Sequence, residues 1–293
     1  MKSVGMGFCS ENGMLSSWMA KKCFFFLSLL FSVCLLSGKA MAAPEKEYWA
    51  FWDKSDESNR QEIDHSQWQL ILDKYLRYSE KYKMYVFVYG GVSKENMARL
   101  RVYLKGMSDI DPRKLRKKEQ LAYWINVYNA LTVELILKNY PVKSITRLGK
   151  GWFRTGPWKD KVIEIQGQPV SLNDIEHRII RPLWESPRIH YAINCASIGC
   201  PDLAPKIYKA SEIEAQLDEA GKRFINQNKG VNFVGGRLVL SKIFYWYGGD
   251  FGGKEGVMKE LLLFSDPELR KRIEEYKGGI SYHYNWKLNE YRR

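Results

Sequence analysis

Metal-ligand spacing is the plainest absence in this 293-residue chain. It has four histidines and no HExxH, CxxC or clustered His/Asp pattern, so no metal centre and no cofactor are expected. There is no GxSxG elbow, and GGDFGG around Gly248 lacks the strand-then-helix setting of a phosphate loop. No internal repeat, low-complexity tract or Gly/Ser/Pro-rich linker divides the chain. After residue 42 no apolar run approaches the ~20 residues of a membrane span. Acidic residues are short, 33 against 46 basic ones, which leaves a net charge of +13. The basic residues are scattered, and the one dense run, Arg113 to Lys118, reads as a solvated face. Specific nucleic-acid binding is therefore not expected.

The N-terminus carries what the rest lacks. Lys21 and Lys22 precede the apolar run Cys23 to Leu36, and Ala40-Met41-Ala42 comes next. Basic region, apolar region and A-x-A site read as a signal peptide over residues 1–42, with MAKKCFFF making Met19 an alternative start. Val33 before Cys34 argues against lipidation. The expected product is exported, periplasmic or secreted, without a transmembrane segment. The cut removes four lysines and one glutamate, lowering the net charge to +10. It leaves a segment 43–63, then a domain over 64–293, with two cysteines, Cys195 and Cys200, in an oxidising compartment.

Periodicity predicts helices over Ser66 to Tyr82, Lys94 to Lys105, Lys117 to Asn139, Ser171 to Arg181, Ser211 to Asn226, Val257 to Phe264 and Pro267 to Glu275. A hairpin is expected around Gly167 and a strand over Arg237 to Leu240. Helices and short strands keep no regular βαβ beat. The fold expected is a single α+β domain, a central buried helix packed with a small mixed sheet.

Three segments carry chemistry. Ile189, Tyr191 and Ile193 alternate, predicting a strand that ends at Cys195 in the turn of Ala196, Ser197, Gly199 and Pro201. A thiol displayed there suits a nucleophile, and Cys200 five residues on suits a disulfide. In the apolar helix LAYWINVYNALTVELIL, Asn126 and Asn129 share a face, as a structural network or as site groups. In the helix after the capping-box-like Ser171 and Asp174, Glu176 falls within the apolar stripe beside His177. Glu176 is read as the partner of Arg181 or Arg178, or as an acid–base group with His177. On a straight strand His190 would lie ~16 Å from Cys195 and on the opposite face, which leaves His177 as the candidate base and His190 as a cleft residue.

The runs WINVYNALT (124–132), SLNDIEHRIIRP (171–182), HYAINCASIGCP (190–201) and YHYNWKLN (282–289) together resemble the domain-of-unknown-function family 547, over roughly residues 64–289. The resemblance implies an exported bacterial member with one family domain, and it implies no activity. The family pattern has Asp where this chain has Asn285, and often at Tyr245. An Asn can still orient a histidine, as in Cys-His-Asn enzymes. Three functions compete. The first is a thiol-dependent hydrolase or acyl transferase with Cys195 as nucleophile, His177 as base, and Glu176, Asn126 and Asn129 in support. The second is a noncatalytic envelope module with a Cys195–Cys200 staple, binding an envelope polymer or protein. The third is a thiol–disulfide protein. Ser197, Asn285 and Trp286 complete the candidate cleft.

Overall fold

The structure is a computed structural model that describes residues 1, 44–149 and 156–291. The chain divides into two units, Met1–Ala42 and Ala43–Arg293, and the described helices and strands all lie in the second. The expected signal peptide, with Met19 and Cys34, lies outside the described residues.

Helix α1 (Ser66–Tyr75) buries Trp68, Ile71, Leu72 and Tyr75, a stripe at helical spacing. It stops seven residues short of the expected end. Tyr78 and Tyr82 would prolong the stripe, but the chain turns into the hairpin β1 (Leu76–Ser79) and β2 (Met84–Phe87). Tyr78 there faces Tyr85 across the pair with ring centroids 5.4 Å apart, and such cross-strand aromatic pairing favours the hairpin. Helix α2 (Lys94–Asp109), capped by Ser93, runs through Gly106, where the expected helix ended. Space is open around Gly106, and a lone exposed glycine weakens a helix by only ~1 kcal/mol.

Helix α3 (Lys117–Lys138) is the central element, with eighteen of its 22 residues buried. Strands β3 (Lys161–Ile165) and β4 (Gln168–Ser171) form the hairpin expected at Gly167. Gln166 and Gly167 both have positive φ, as a tight two-residue hairpin turn requires. The π-helix Asp174–Ile180 then continues into the helical turn Arg181–Trp184, together α4.

The expected strand over Arg188 to Cys195 does not form. Ile189–Ala192 is a helical turn, α5, held by bonds from the amides of Ile189, His190 and Tyr191 to the carbonyls of Ser186, Pro187 and Arg188. All four of its residues are buried. Alternation in the sequence therefore says nothing about facing, because there is no solvent side. Ile193, which follows the turn, is extended.

Helix α6 (Ile213–Ile225) leads to β5 (Val231–Val234), β6 (Arg237–Ser241), α7 (Lys242–Trp246), α8 (Gly253–Phe264), α9 (Pro267–Glu275) and β7 (Ile280–His283). Strand β5 pairs antiparallel with β6, and β6 parallel with β7. The fold is α+β with a central helix and a small mixed sheet, but these lie in different apolar clusters. Helix α3 belongs to one with α1, α2 and α4. The mixed sheet packs with α6, α7 and α8 around Tyr191, Phe224, Phe244 and Phe264. The turn α5 joins them, sending Tyr191 to the second cluster and Ile189 and Ala192 to the first. The loop with both cysteines leaves from this seam.

Candidate functional site

Loop 193–201 is fixed by three buried asparagines. Asn129, on α3, donates to the Ala192 carbonyl at 3.0 Å and accepts the Asn194 amide at 2.8 Å. The Asn194 side chain accepts from the Ala196 amide and donates to the Pro201 carbonyl, closing the loop on itself. Asn289 donates to the same Asn194 oxygen at 3.3 Å, and Tyr89 donates to Asn289. Between these fixed points Ala196 takes φ +57°. That conformation costs a non-glycine residue ~1–2 kcal/mol, and such strain clusters where a scaffold over-determines a functional turn.

The strained turn folds the two cysteines together. Cys200 Sγ lies 2.7 Å from Cys195 Sγ and accepts the Cys195 amide at 2.9 Å. Cys195 is half-buried, whereas Cys200 is buried. Two hydroxyls complete the shell: Ser197 Oγ lies 3.2 Å and the Tyr284 hydroxyl 3.0 Å from Cys195 Sγ, and they are 2.9 Å from each other. Burial alone would raise the Cys195 thiol, but hydrogen bonds from Cys200, Ser197 and Tyr284 favour the anion and bring it below the ordinary cysteine range. Cys200 moves the other way, well up, through burial and its bond to Cys195. The pair thus sets a partly exposed cysteine whose anion is favoured against a buried one whose thiol is favoured.

Tyr284 reaches the sulfur because the segment after β7 docks on the loop. Gly199 donates to the Asn285 carbonyl and Ile198 to the Lys287 carbonyl. A Cβ on Gly199 would sit 2.7 Å from the Asn285 amide nitrogen and 3.0 Å from the Tyr284 ring, so only glycine permits this approach. Trp246 and Trp286 pack on Tyr284 with centroids at 4.8 and 4.6 Å, forming a half-buried aromatic wall beside Cys195.

Next to this lies a buried charged network centred on α4. π-Helical turns recur at functional sites because they re-aim side chains, and this one carries Glu176 and His177 inward. Glu176 accepts hydroxyl hydrogens from Tyr128 at 3.1 Å and Tyr247 at 2.6 Å, rather than pairing with Arg178 or Arg181. Burial pushes its carboxyl up, but His177, the Tyr247 hydroxyl, His190 and Arg181 outweigh that and hold it below the usual range. Arg181 forks onto Asp250 at 2.6 and 3.1 Å, and His190 Nε2 donates to Asp250 at 2.8 Å. Desolvation opposes the Asp250 charge, yet these donors hold its carboxyl far below the usual range. Residues from Pro44 onward strap this network. The Pro44 carbonyl accepts from Arg181, Lys46 pairs with Asp250, and the Glu47 and Trp49 amides donate to the His177 and Arg178 carbonyls.

The structure brings Cys195, Cys200, Ser197 and Trp286 together, with Asn285 contributing its carbonyl. Asn129 positions the loop. Asn126 spends its amide on the backbone of Tyr208 and is not among the groups bonded to the sulfur. No histidine hydrogen-bonds Cys195 among the described residues. His177 accepts from Arg181 at Nδ1, 2.9 Å away. A guanidinium only donates, so that lone pair is occupied and the ring proton sits on Nε2; in this arrangement His177 has no lone pair for a thiol. His190, placed by the helical turn instead of a strand, stacks on Tyr247 at 4.0 Å. Sequence reasoning missed Tyr284, Tyr247, Tyr128 and Asp250. Asp250 stands inside GGDFGG, a run whose one local signal is its likeness to a phosphate loop. Among the described residues no group of three or more His, Cys, Asp or Glu is placed to hold a metal ion, and no helix is long and apolar enough to cross a membrane.

Residues 112–225, which include α3, α4, α5 and both cysteines, match the family model described as "Protein of unknown function, DUF547". No curated protein and no solved structure matches the chain.

Proposed function

We propose that this chain, a member of the DUF547 family, is a thiol–disulfide exchange protein in which Cys195 attacks and Cys200 resolves. The observation that carries this reading is the direct contact between Cys195, a partly exposed residue whose anion is favoured by three donors, and the buried thiol of Cys200. The thiolate is the nucleophile in exchange, and a low-pKa, accessible thiol beside a resolving one is the arrangement that exchange needs.

The electrons of the step balance within the pair. Cys195 thiolate attacks one sulfur of a substrate disulfide, the S–S bond breaks, and the other sulfur leaves as a thiolate that takes a proton. Cys200 loses its proton and attacks Cys195 Sγ, releasing the second substrate thiol. The substrate gains two electrons and two protons; the pair supplies both electrons and the Cys200 proton, and solvent supplies the second proton. With a dithiol substrate the same steps run backward. Favouring the Cys195 anion stabilises the reduced pair, which makes its disulfide the more oxidising. An export signal over 1–42 would deliver the pair to a compartment where disulfides persist.

The test equilibrates purified protein in reduced and oxidised glutathione and counts alkylatable thiols by mass spectrometry. The expected result is two-electron interconversion with a midpoint above about −300 mV, and a mixed disulfide that stalls on Cys195 in Cys200→Ser. Retention of both thiols in excess oxidised glutathione would overturn the reading. A bridge that resists strong reductant would point to the staple of an envelope binding module. Turnover of a thioester probe lost in Cys195→Ser but kept in Cys200→Ser would point to the hydrolase or acyl transferase.

A further inference from the structure

The mixed sheet has the order β5-β6-β7, so β7 is an edge strand. Ser281, Tyr282 and His283 are exposed, and among the described residues the backbone bonds of Ile280–His283 go only to β6. The free side of β7 therefore offers unpaired N–H and C=O groups, a ready template for another strand. The strand leads directly into Tyr284, whose hydroxyl touches Cys195.

Along this path Tyr282 of β7 is followed at alternate positions by Tyr284 and Trp286, whose rings pack 4.6 Å apart. Tyr245 packs on Tyr282 at 5.3 Å, and Trp246 packs on Tyr284 and Trp286 at 4.8 and 5.7 Å. Tyr245 is 53% exposed. The result is an aromatic track over the five residues 282–286 that passes beside Cys195. A small disulfide needs only the sulfur. A free strand edge with aromatic positions at every second residue matches the alternating side chains of an extended polypeptide.

Building on the exchange reading of Cys195, we infer that the substrate is an extended polypeptide that adds to the free edge of β7, lays apolar side chains on the Tyr282–Tyr284–Trp286 track and so presents its sulfur to Cys195. The main chain supplies affinity, and the track supplies a preference for apolar residues next to the reacting cysteine.

The experiment uses the full chain carrying Cys200→Ser, so that the first exchange is trapped. Three probes are compared: a small aromatic disulfide, and two peptides whose single cysteine is blocked as a mixed disulfide with thionitrobenzoate. One peptide carries Phe at alternate positions beside the cysteine, and the other carries Gly and Ser. The Phe peptide is expected to be captured about tenfold faster, the scale of one or two added aromatic contacts. Methylating its alternate backbone nitrogens, or changing Tyr282→Ala, should remove the preference while leaving capture of the small disulfide unchanged. Equal rates for the two peptides, with the small disulfide still captured, would overturn the polypeptide track and leave the exchange reading standing. Failure of all three probes to modify Cys195 would overturn both.

Discussion

The Cys195 thiol is lowered by hydroxyl and thiol donors instead of an imidazole, and this makes Tyr284 the residue to test. Its own hydroxyl is pushed well up by burial and by the Cys195 charge, so it stays protonated and can only favour the thiolate by donating. Tyr284→Phe removes that donor and keeps the ring between Trp246 and Trp286. The pH profile of iodoacetamide labelling at Cys195 should therefore move to higher pH with little loss of stability. An unmoved profile would mean that Cys200 and Ser197 suffice. Glu176 is the second test. Its carboxylate receives two tyrosine hydroxyls in a fully enclosed site, and charge-assisted bonds of this kind are each worth about 1.5–3 kcal/mol. Glu176→Gln weakens both and forces one hydroxyl to turn, so urea unfolding should show a loss of about 1–3 kcal/mol. An unchanged midpoint would remove Glu176 from the structural network.

At the scale of elements, the glycine-rich loop between α7 and α8 aims a carboxylate at α4 and α5. Asp250 meets Arg181 and His190 only if the backbone of Phe251 stays close to the first turn of α8. A Cβ on Gly256 would stand 1.6 Å from the Phe251 carbonyl oxygen, a backbone atom that cannot move without taking Asp250 with it. Gly256→Ala should therefore cost more than about 3 kcal/mol, the range in which burying an unpaired charge adds to strain. A melting temperature within a degree of the parent would refute it. This loop also shows where the sequence was opaque. The long helix α3 and the hairpin at Gly167 were legible because local rules act within them: unbroken apolar spacing in one, turn chemistry in the other. The capping box at Ser171 was legible too, and Ser171 and Asp174 do bond reciprocally. The helical turn α5 was not legible, because all its residues are buried and periodicity carries no sign of facing. The thiolate shell was half legible. Cys195, Ser197 and Cys200 are neighbours in sequence, whereas Tyr284 arrives from 89 residues away through a parallel strand that no local pattern announces.

Across the whole molecule, three buried histidines set how stability responds to acid. His65, at the start of α1, gives Nδ1 to the Tyr103 hydroxyl of α2 at 2.6 Å, and burial lowers its pKa to about 4. His177 and His190 are also lowered, chiefly by burial, although Glu176 and Asp250 oppose it. Each binds a proton less readily in the fold than once unfolded. Stability therefore rises with pH wherever the unfolded chain holds more protons. The contribution is complete above the unfolded value of ~6.5 and is lost as pH falls toward about 4. Glu119 and Glu260, raised by burial, act in the opposite sense just above the ordinary carboxylate range. Asp174 and Asp250, held low by their partners, weaken the fold only at still lower pH. The loss between pH 6.5 and 4.5 thus belongs to the histidines, and His65 alone accounts for an amount on the order of 3 kcal/mol once fully protonated. His65→Phe keeps a ring in the site and removes the titration. Its unfolding free energy at pH 7 should drop by about 1 kcal/mol for the lost Tyr103 bond, and its decline toward pH 4.5 should be clearly shallower than that of the parent. Urea unfolding at the two pH values measures both. If the two proteins lose stability in parallel, the acid response lies in the α4 network instead of at the start of α1.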